Sequence, residues 1–151
     1  MEPGTRHIKS YDDLIWIALF ECLGTFIFLF GISFSQGQAY MVAGSLFIAA
    51  FMTGRVGGGH YNAGVTLAVY IVEKKWLENL APMLIIMLAD LTGAYAGMYA
   101  AVLMESKDNM LVLKPSSAKD TIVGVLLKET FFTMLFITCV LHVKYKKVMS
   151  S

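Results

Sequence analysis

The chain has 151 residues, a formal net charge of +1, and a composition that is 57% hydrophobic and 15% charged. Soluble domains average about 25% charged residues, so this composition excludes an ordinary soluble domain and indicates a membrane protein. The near-zero net charge and the lack of a long basic run argue against a nucleic-acid-binding surface.

Four apolar segments are long enough to cross a bilayer, which takes about 20 residues of helix. They cover residues 15–34, 38–53 (extendable to 36–54), 81–104 and 121–143, between tails at 1–14 and 144–151. The sequence therefore predicts an all-α membrane protein with four transmembrane helices.

Basic residues outside these segments are distributed unequally between the two sides of the membrane. Eight lie on the side of both termini: Arg6, Lys9, Arg55, Lys74, Lys75, Lys144, Lys146 and Lys147. Three lie on the other side: Lys107, Lys114 and Lys119. Because lysine and arginine concentrate on the cytoplasmic side, both termini are predicted to lie in the cytoplasm or the mitochondrial matrix.

Between the second and third spans, residues 57–72 follow a different pattern. Three glycines and His60 precede Asn62, a good N-cap residue, and an uncharged apolar stretch to Val72. As a helix this stretch is about 16 Å long, roughly half the hydrocarbon thickness. One interpretation is an apolar helix lying at the membrane surface. We favour a re-entrant half-helix whose N-terminus points to the middle of the membrane.

The segment Gly58-Gly-His-Tyr-Asn-Ala-Gly-Val-Thr66 resembles the first pore-loop signature of the aquaporin (major intrinsic protein) family, Gly-Gly-His-x-Asn-Pro-Ala-Val-Thr. Ala63 and Gly64 stand where the family has proline and alanine. Glu21-Cys-Leu-Gly-Thr-Phe26 resembles the family's first helix, and residues 89–97 resemble its third helix, with Asp90 in place of the usual glutamine. Residues 129–136 repeat the first-helix pattern of residues 21–28.

The resemblance covers residues 15–143 and implies one fold. That fold is the first half of an aquaporin, with its re-entrant half-helix, followed by the first helix of the second half. The second half-helix, its asparagine and the family's selectivity arginine have no counterpart in the sequence.

The resemblance also assigns roles to individual residues. Glu21 matches the glutamate that supports the re-entrant loop, although a protonated glutamate buried between helices is the alternative. His60 either lines a pore mouth or bonds a backbone carbonyl. In the pore-loop motif, Asn62 caps the half-helix. Ala63 lacks the fixed φ by which proline would pre-set the first turn, and Gly64 adds backbone freedom that destabilises the helix.

Asp90 lies in the third span, where an ionisable residue is a functional candidate by default. No carboxylate or histidine lies at relay spacing along the sequence, so we expect a hydrogen bond to another helix or chain. By the resemblance, Glu129 would support a second loop, which the sequence does not contain. Its charge would then need Lys128 or a neighbouring protein as a partner, or Glu129 would be protonated. Gly93 and Gly97 form a small-residue face that permits close helix packing.

The sequence contains no nucleophile–base pair, metal cluster or phosphate loop, and so predicts no enzyme, metal or cofactor.

A pore in this fold needs two opposed half-helices, and the sequence supplies one. We therefore expect a non-conducting accessory subunit of a larger membrane complex, with other transmembrane subunits and lipid as its partners. A mitochondrial inner membrane is a candidate location, without a targeting signal. The alternatives are a channel for water or small neutral solutes completed by a second chain, and an assembly factor.

Overall fold

The computed structural model describes residues 11–105 and 121–145. These residues form five α-helices and no strand: α1 (Tyr11–Ser33), α2 (Ala39–Gly57), α3 (Ala63–Glu73), α4 (Trp76–Met104) and α5 (Ile122–Tyr145). By length and composition, α1, α2, α4 and α5 can each cross a membrane. The prediction of an all-helical chain with four helices long and apolar enough to span a membrane is therefore confirmed for the described residues. The 11-residue α3 is too short to span.

Several helix ends differ from the sequence prediction. Helix α1 begins at Tyr11, inside the predicted N-terminal tail, and α5 extends to Tyr145. Helix α2 continues to Gly57, so Arg55 belongs to this helix rather than to a loop.

Helix α4 begins at Trp76 rather than at residue 81. Its first turn is tied to the end of α3, because the Tyr70 hydroxyl donates to the Trp76 carbonyl at 2.8 Å. The Asn79 amide also donates to the Glu73 carboxylate at 2.8 Å. These polar contacts stabilise helix in a stretch that hydropathy alone excludes from the span.

Among the described residues, α1 to α4 form one compact unit and α5 belongs to a second. In the first unit, α1 packs against α2 and α4, and α3 packs against α4. Contacts of Gly31 with Ser45 and of Gly57 with Glu21 make α1 and α2 antiparallel. Contacts of Gly93 with Cys22 and of Gly97 with Phe26 make α1 and α4 parallel.

Close approach of α1 and α4 depends on two glycines. A Cβ at Gly93 or Gly97 would meet the backbone carbonyl of Cys22 or Phe26, respectively. Both glycines are buried. A small-residue face of this kind lets two backbones pack directly in a membrane, where van der Waals contact replaces the hydrophobic effect. Here the face joins two helices of the same unit.

The unit has a polar interior and an apolar exterior. Its buried polar residues are Glu21, Thr25, Ser33, Ser35, Ser45, Thr53, His60, Thr66 and Asp90. Large aliphatic and aromatic side chains cover the outside, including Phe51 and Tyr95, which are 80% and 73% exposed. All buried side-chain polar atoms of the described residues have hydrogen-bond partners. This distribution suits a surrounding of lipid or other membrane helices.

Helix α5 is capped at its start by Thr121, whose hydroxyl accepts from the Gly124 N–H at 3.1 Å. Basic residues His142 and Lys144 lie in its last turn, where they complement the helix dipole. None of its 24 residues is buried.

Candidate functional site

The connection between α2 and α3 is held by one carboxylate from α1. Glu21 is 0% exposed. Its carboxylate accepts the Tyr61 N–H at 2.9 Å and the His60 N–H at 3.1 and 3.2 Å. Backbone N–H groups in a turn need acceptors, and the Glu21 carboxylate is the acceptor for these two. The structure thus brings Glu21 to the loop that the resemblance assigned to it.

The backbone of this connection requires glycine at two positions. Gly58 and Gly59 have φ values of +121° and +79°, in a region that side chains with a Cβ rarely occupy. Gly58 also ends α2, and its N–H bonds the Gly54 carbonyl at 3.2 Å. The glycine run therefore stops one helix and turns the chain back toward α1.

Tyr61 locks the turn into the groove between α1 and α2. Its ring is 3% exposed and lies against Gly24, where a Cβ would collide with it. The hydroxyl lies 2.8 Å from Thr53 Oγ1 and donates to the Ala49 carbonyl at 3.2 Å. Burial raises the pKa of the Tyr61 phenol above its ordinary value, so the group stays protonated and keeps its donor. Tyr61 adopts a φ of +47°, which this packing stabilises. Sequence reasoning gave Tyr61 no role.

Asn62 caps α3. Its side-chain oxygen accepts the Gly64 N–H at 2.7 Å, and its carbonyl accepts from Val65 and Thr66 at 3.0 and 3.1 Å. Its backbone is extended, with φ −160° and ψ 121°, as N-cap residues usually are. Asn62, Ala63 and Gly64 are each partly exposed. The cap therefore forms with alanine and glycine in the first two helical positions.

A chain of buried hydrogen bonds continues from the loop into α4. The His60 ring lies 3.0 Å from the Thr66 hydroxyl through Nδ1. Thr66 lies 3.1 Å from Asp90 Oδ2, and Thr25 lies 3.1 Å from Asp90 Oδ1. Asp90 is 2% exposed, and its hydrogen bonds within the described residues are these two. The expected bond of Asp90 to another helix is thus made twice, to α1 and to α3.

No histidine or second carboxylate lies at relay spacing from Asp90 along the sequence, but the fold brings His60 and Glu21 into the same hydrogen-bonded cluster. One threonine hydroxyl separates Asp90 from His60, and His60 in turn bonds Glu21 through its backbone. The contact between residues 66 and 90 crosses the α3–α4 turn, which spacing along the chain does not reveal. The only sequence signals were the threonines of two quoted motifs, Thr25 and Thr66.

The other predicted residues lie outside this cluster. Gly93 and Gly97 follow Asp90 on the buried face of α4 and contact α1. Glu129 is exposed on α5, in contrast to its repeat partner Glu21.

Hydrogen bonds in the cluster join the α2–α3 connection to α1 and α3 to α4. Across the described residues, no group of three or more histidine, cysteine or acidic side chains could hold a metal ion. A separate groove of about 340 Å³ between α1 and α4 is lined mainly by aliphatic side chains between Leu14 and Leu19 and by Ile85 and Ala89. Its lining contains no charged residue.

Comparison with known proteins gives no assignment: no protein-family model, no curated protein and no solved structure matches this chain.

Proposed function

We propose that this integral membrane protein has an aquaporin-like half fold and acts as a non-conducting accessory subunit of a larger membrane protein complex. The proposal combines the sequence resemblance with three features of the described residues. These are the contact of the α3 N-terminus with the middle of α4, the use of its polar groups inside the unit, and an exposed carboxylate on α5.

The contacts of α3 support a re-entrant helix. Asp90 is the central residue of the 29-residue α4, and it bonds Thr66 in the first turn of α3. The other end of α3 joins the start of α4 through Lys74 and Lys75. If α4 crosses the bilayer, the N-terminus of α3 lies close to the middle of the hydrocarbon layer and its C-terminus lies near one surface.

The polar groups of this loop are used internally, which favours a structural role. Glu21 binds the backbone of the turn, Tyr61 fills the space beside Gly24, and Thr66 bonds Asp90. A water pathway needs hydrogen-bonding groups that face an open passage. The described unit instead uses these groups to join its own helices.

The observation that carries the proposal is the exposure of Glu129. It lies seven residues after the first residue of α5, about 10 Å along a helix apolar enough to span a membrane. An exposed carboxylate at this depth is costly in lipid. Its repeat counterpart Glu21 is fully buried on backbone N–H donors. We infer that a partner protein supplies donors to Glu129 and covers this side of α5.

A site-specific photocrosslink tests the inference in native membranes. With p-benzoylphenylalanine in place of Glu129, irradiation should give a discrete adduct with another protein. The matched control is the same group at Leu127, which is also exposed but lies on the opposite face of α5. After mild extraction, the wild-type chain should migrate on a native gel with that partner. Migration as a free monomer, with only lipid adducts at position 129, would overturn the proposal.

A channel completed by a second chain is the alternative, and one observation favours it. Within the described residues Asn62 bonds through Oδ1 and its backbone carbonyl, while its amide nitrogen makes no hydrogen bond. That donor is available to a solute at the N-terminus of α3. Swelling of proteoliposomes that contain the purified complex separates the two functions. We expect flux equal to that of empty vesicles, whereas flux abolished by Asn62→Asp would favour the channel.

We also propose an orientation for the chain in the membrane and the mitochondrial inner membrane as its location. The excess of lysine and arginine outside the spans supports termini on the cytoplasmic or matrix side. Protease protection of N- and C-terminal tags in intact organelles tests this orientation. Fractionation of the same cells tests the mitochondrial inner membrane as the location.

A further inference from the structure

Asp90 is surrounded by hydroxyl groups rather than by cations. It lies at the centre of α4 and contacts Thr25 of α1 and Thr66 of α3. Among the described residues no lysine or arginine forms an ion pair with it. The titratable groups that face it are Glu21 and Cys22 from α1 and His60 and Tyr61 from the α2–α3 connection. A buried carboxylate in such a setting has a large desolvation cost.

The hydrogen-bond donors around Asp90 can be counted. Thr25 has one hydroxyl hydrogen, and its oxygen lies 2.8 Å from the backbone carbonyl oxygen of Glu21. A carbonyl oxygen can only accept a hydrogen bond. If this hydrogen is donated to the carbonyl, the 3.1 Å contact between Thr25 and Asp90 Oδ1 lacks a donor. A proton on Oδ1 supplies it. The protonated Asp90 then donates to the Thr25 hydroxyl oxygen, and the Thr25 hydroxyl donates to the backbone carbonyl of Glu21.

The other side of Asp90 is consistent with this assignment. Thr66 lies 3.1 Å from Asp90 Oδ2 and 3.4 Å from the Asn62 backbone carbonyl, and we assign its one hydrogen to the shorter contact. The Nδ1–H tautomer of His60 then donates to the Thr66 oxygen at 3.0 Å. Each threonine hydroxyl then donates once and accepts once. The Glu21 carboxylate, in contrast, accepts from the backbone N–H groups of His60 and Tyr61. The two acidic side chains therefore have different roles, with Glu21 as the anion and Asp90 as the acid.

We propose that Asp90 is a proton-binding site, and that the bound proton joins α4 to α1 while the second oxygen of the carboxyl group joins α4 to α3. Loss of the proton leaves an unpaired carboxylate between three helices. The single Thr25 hydrogen can then be donated to the Glu21 backbone carbonyl or to the Asp90 carboxylate, but not to both. Proton release at Asp90 therefore loosens the contact between α4 and α1 at Thr25, while Thr66 can still donate to the carboxylate. This inference does not depend on the identity of any partner subunit.

Infrared difference spectroscopy of the full-length protein tests the proposal directly. The sample is kept at neutral pH in a detergent without ester groups, so that carboxylic acid C=O stretching is visible. Isotopic labelling of aspartate side-chain carbons should shift an acid band, whereas labelling of glutamate should not. Of the aspartates that the structure describes, Asp12 and Asp13 lie in the first turn of α1, and Asp90 is the one at the centre of a spanning helix. This comparison needs no mutation and so does not depend on a variant folding.

Three variants complete the test. Asp90→Asn keeps a neutral donor and acceptor, so the helix packing remains and the acid band is lost. Thr66→Val removes the donor to the acid C=O and shifts the band to higher frequency. Asp12→Asn, the matched control at an exposed aspartate in the first turn of α1, leaves the band in place. An aspartate spectrum with carboxylate bands only, or an acid band that Asp90→Asn retains, would overturn the assignment.

Discussion

Replacement of Glu21 by methionine gives the sharpest test of the clamp on the α2–α3 connection. Methionine keeps the length of the side chain and removes both acceptor oxygens. The N–H groups of His60 and Tyr61, which lie 2.9 to 3.2 Å from the carboxylate, then lose their partner inside the unit. An unsatisfied buried donor costs about 1–3 kcal/mol, so the loss of two costs roughly 2–6 kcal/mol.

Glu21→Gln should cost less, about 1–2 kcal/mol, because one amide oxygen can still accept while the charge on the acceptor is lost. Both donors lie within 3.1 Å of the same oxygen, Oε2, so a single oxygen can serve them. The expected order of stability is therefore wild type, glutamine, methionine.

Hydrogen–deuterium exchange in nanodiscs measures this effect at the loop itself. In the methionine variant, amides from Gly58 to Thr66 should exchange at least roughly 30-fold faster, which corresponds to 2 kcal/mol. Leu23→Met is the matched control, since Leu23 is 45% exposed on the same helix and contributes no acceptor. Equal exchange of residues 58–66 in the Glu21→Met variant and the wild type would refute the clamp.

Three further predictions use SDS-titrated unfolding in mixed micelles. Gly93→Ala should destabilise the unit by about 1–3 kcal/mol through its collision with the Cys22 carbonyl, whereas Gly44→Ala, with open space around the new Cβ, should be neutral or stabilising; equal effects would contradict the α1–α4 packing. Ala63→Pro should stabilise α3 by about 0.4–1 kcal/mol, because the extended backbone of Asn62 already suits a residue before proline; a loss of stability would contradict the cap geometry. Tyr61→Phe should cost about 1–2 kcal/mol by removing the hydroxyl's bonds to Ala49 and Thr53, and an unchanged midpoint would show that the ring alone holds the turn.

The helical architecture was predictable because it depends on local patterns. Hydropathy located the spans to within a few residues at most ends, and the N-cap preference of asparagine located the start of α3 at Ala63. The start of α4 was missed, since a hydrogen bond from Tyr70 and another from Asn79 hold polar residues in the helix. Such contacts depend on the geometry of the turn, which a hydropathy profile does not describe.

The composition of the cluster was only partly predictable. The resemblance pointed to Glu21 and the loop, because their pairing is encoded in two recognisable motifs. Tyr61 and the two threonines that hold Asp90 carried no such signal. Threonine in an apolar helix usually bonds its own backbone, as Thr92 and Thr138 do here. Its use between helices becomes visible only when α1, α3 and α4 are placed together.

The depth of α3 in the bilayer tests the account's central claim most directly. Spin labels placed one at a time at Leu67 and Ile71 of α3 would be compared with labels at Leu88 and Leu77 of α4, all of them exposed positions. Depth is read from the ratio of oxygen to polar-relaxant accessibility. We expect the label at residue 67 to match that at residue 88 and to lie about 6 Å deeper than the label at residue 71. Equal depths at residues 67 and 71, both at the headgroup level of residue 77, would mean that α3 lies along the surface and that the half-helix interpretation is wrong.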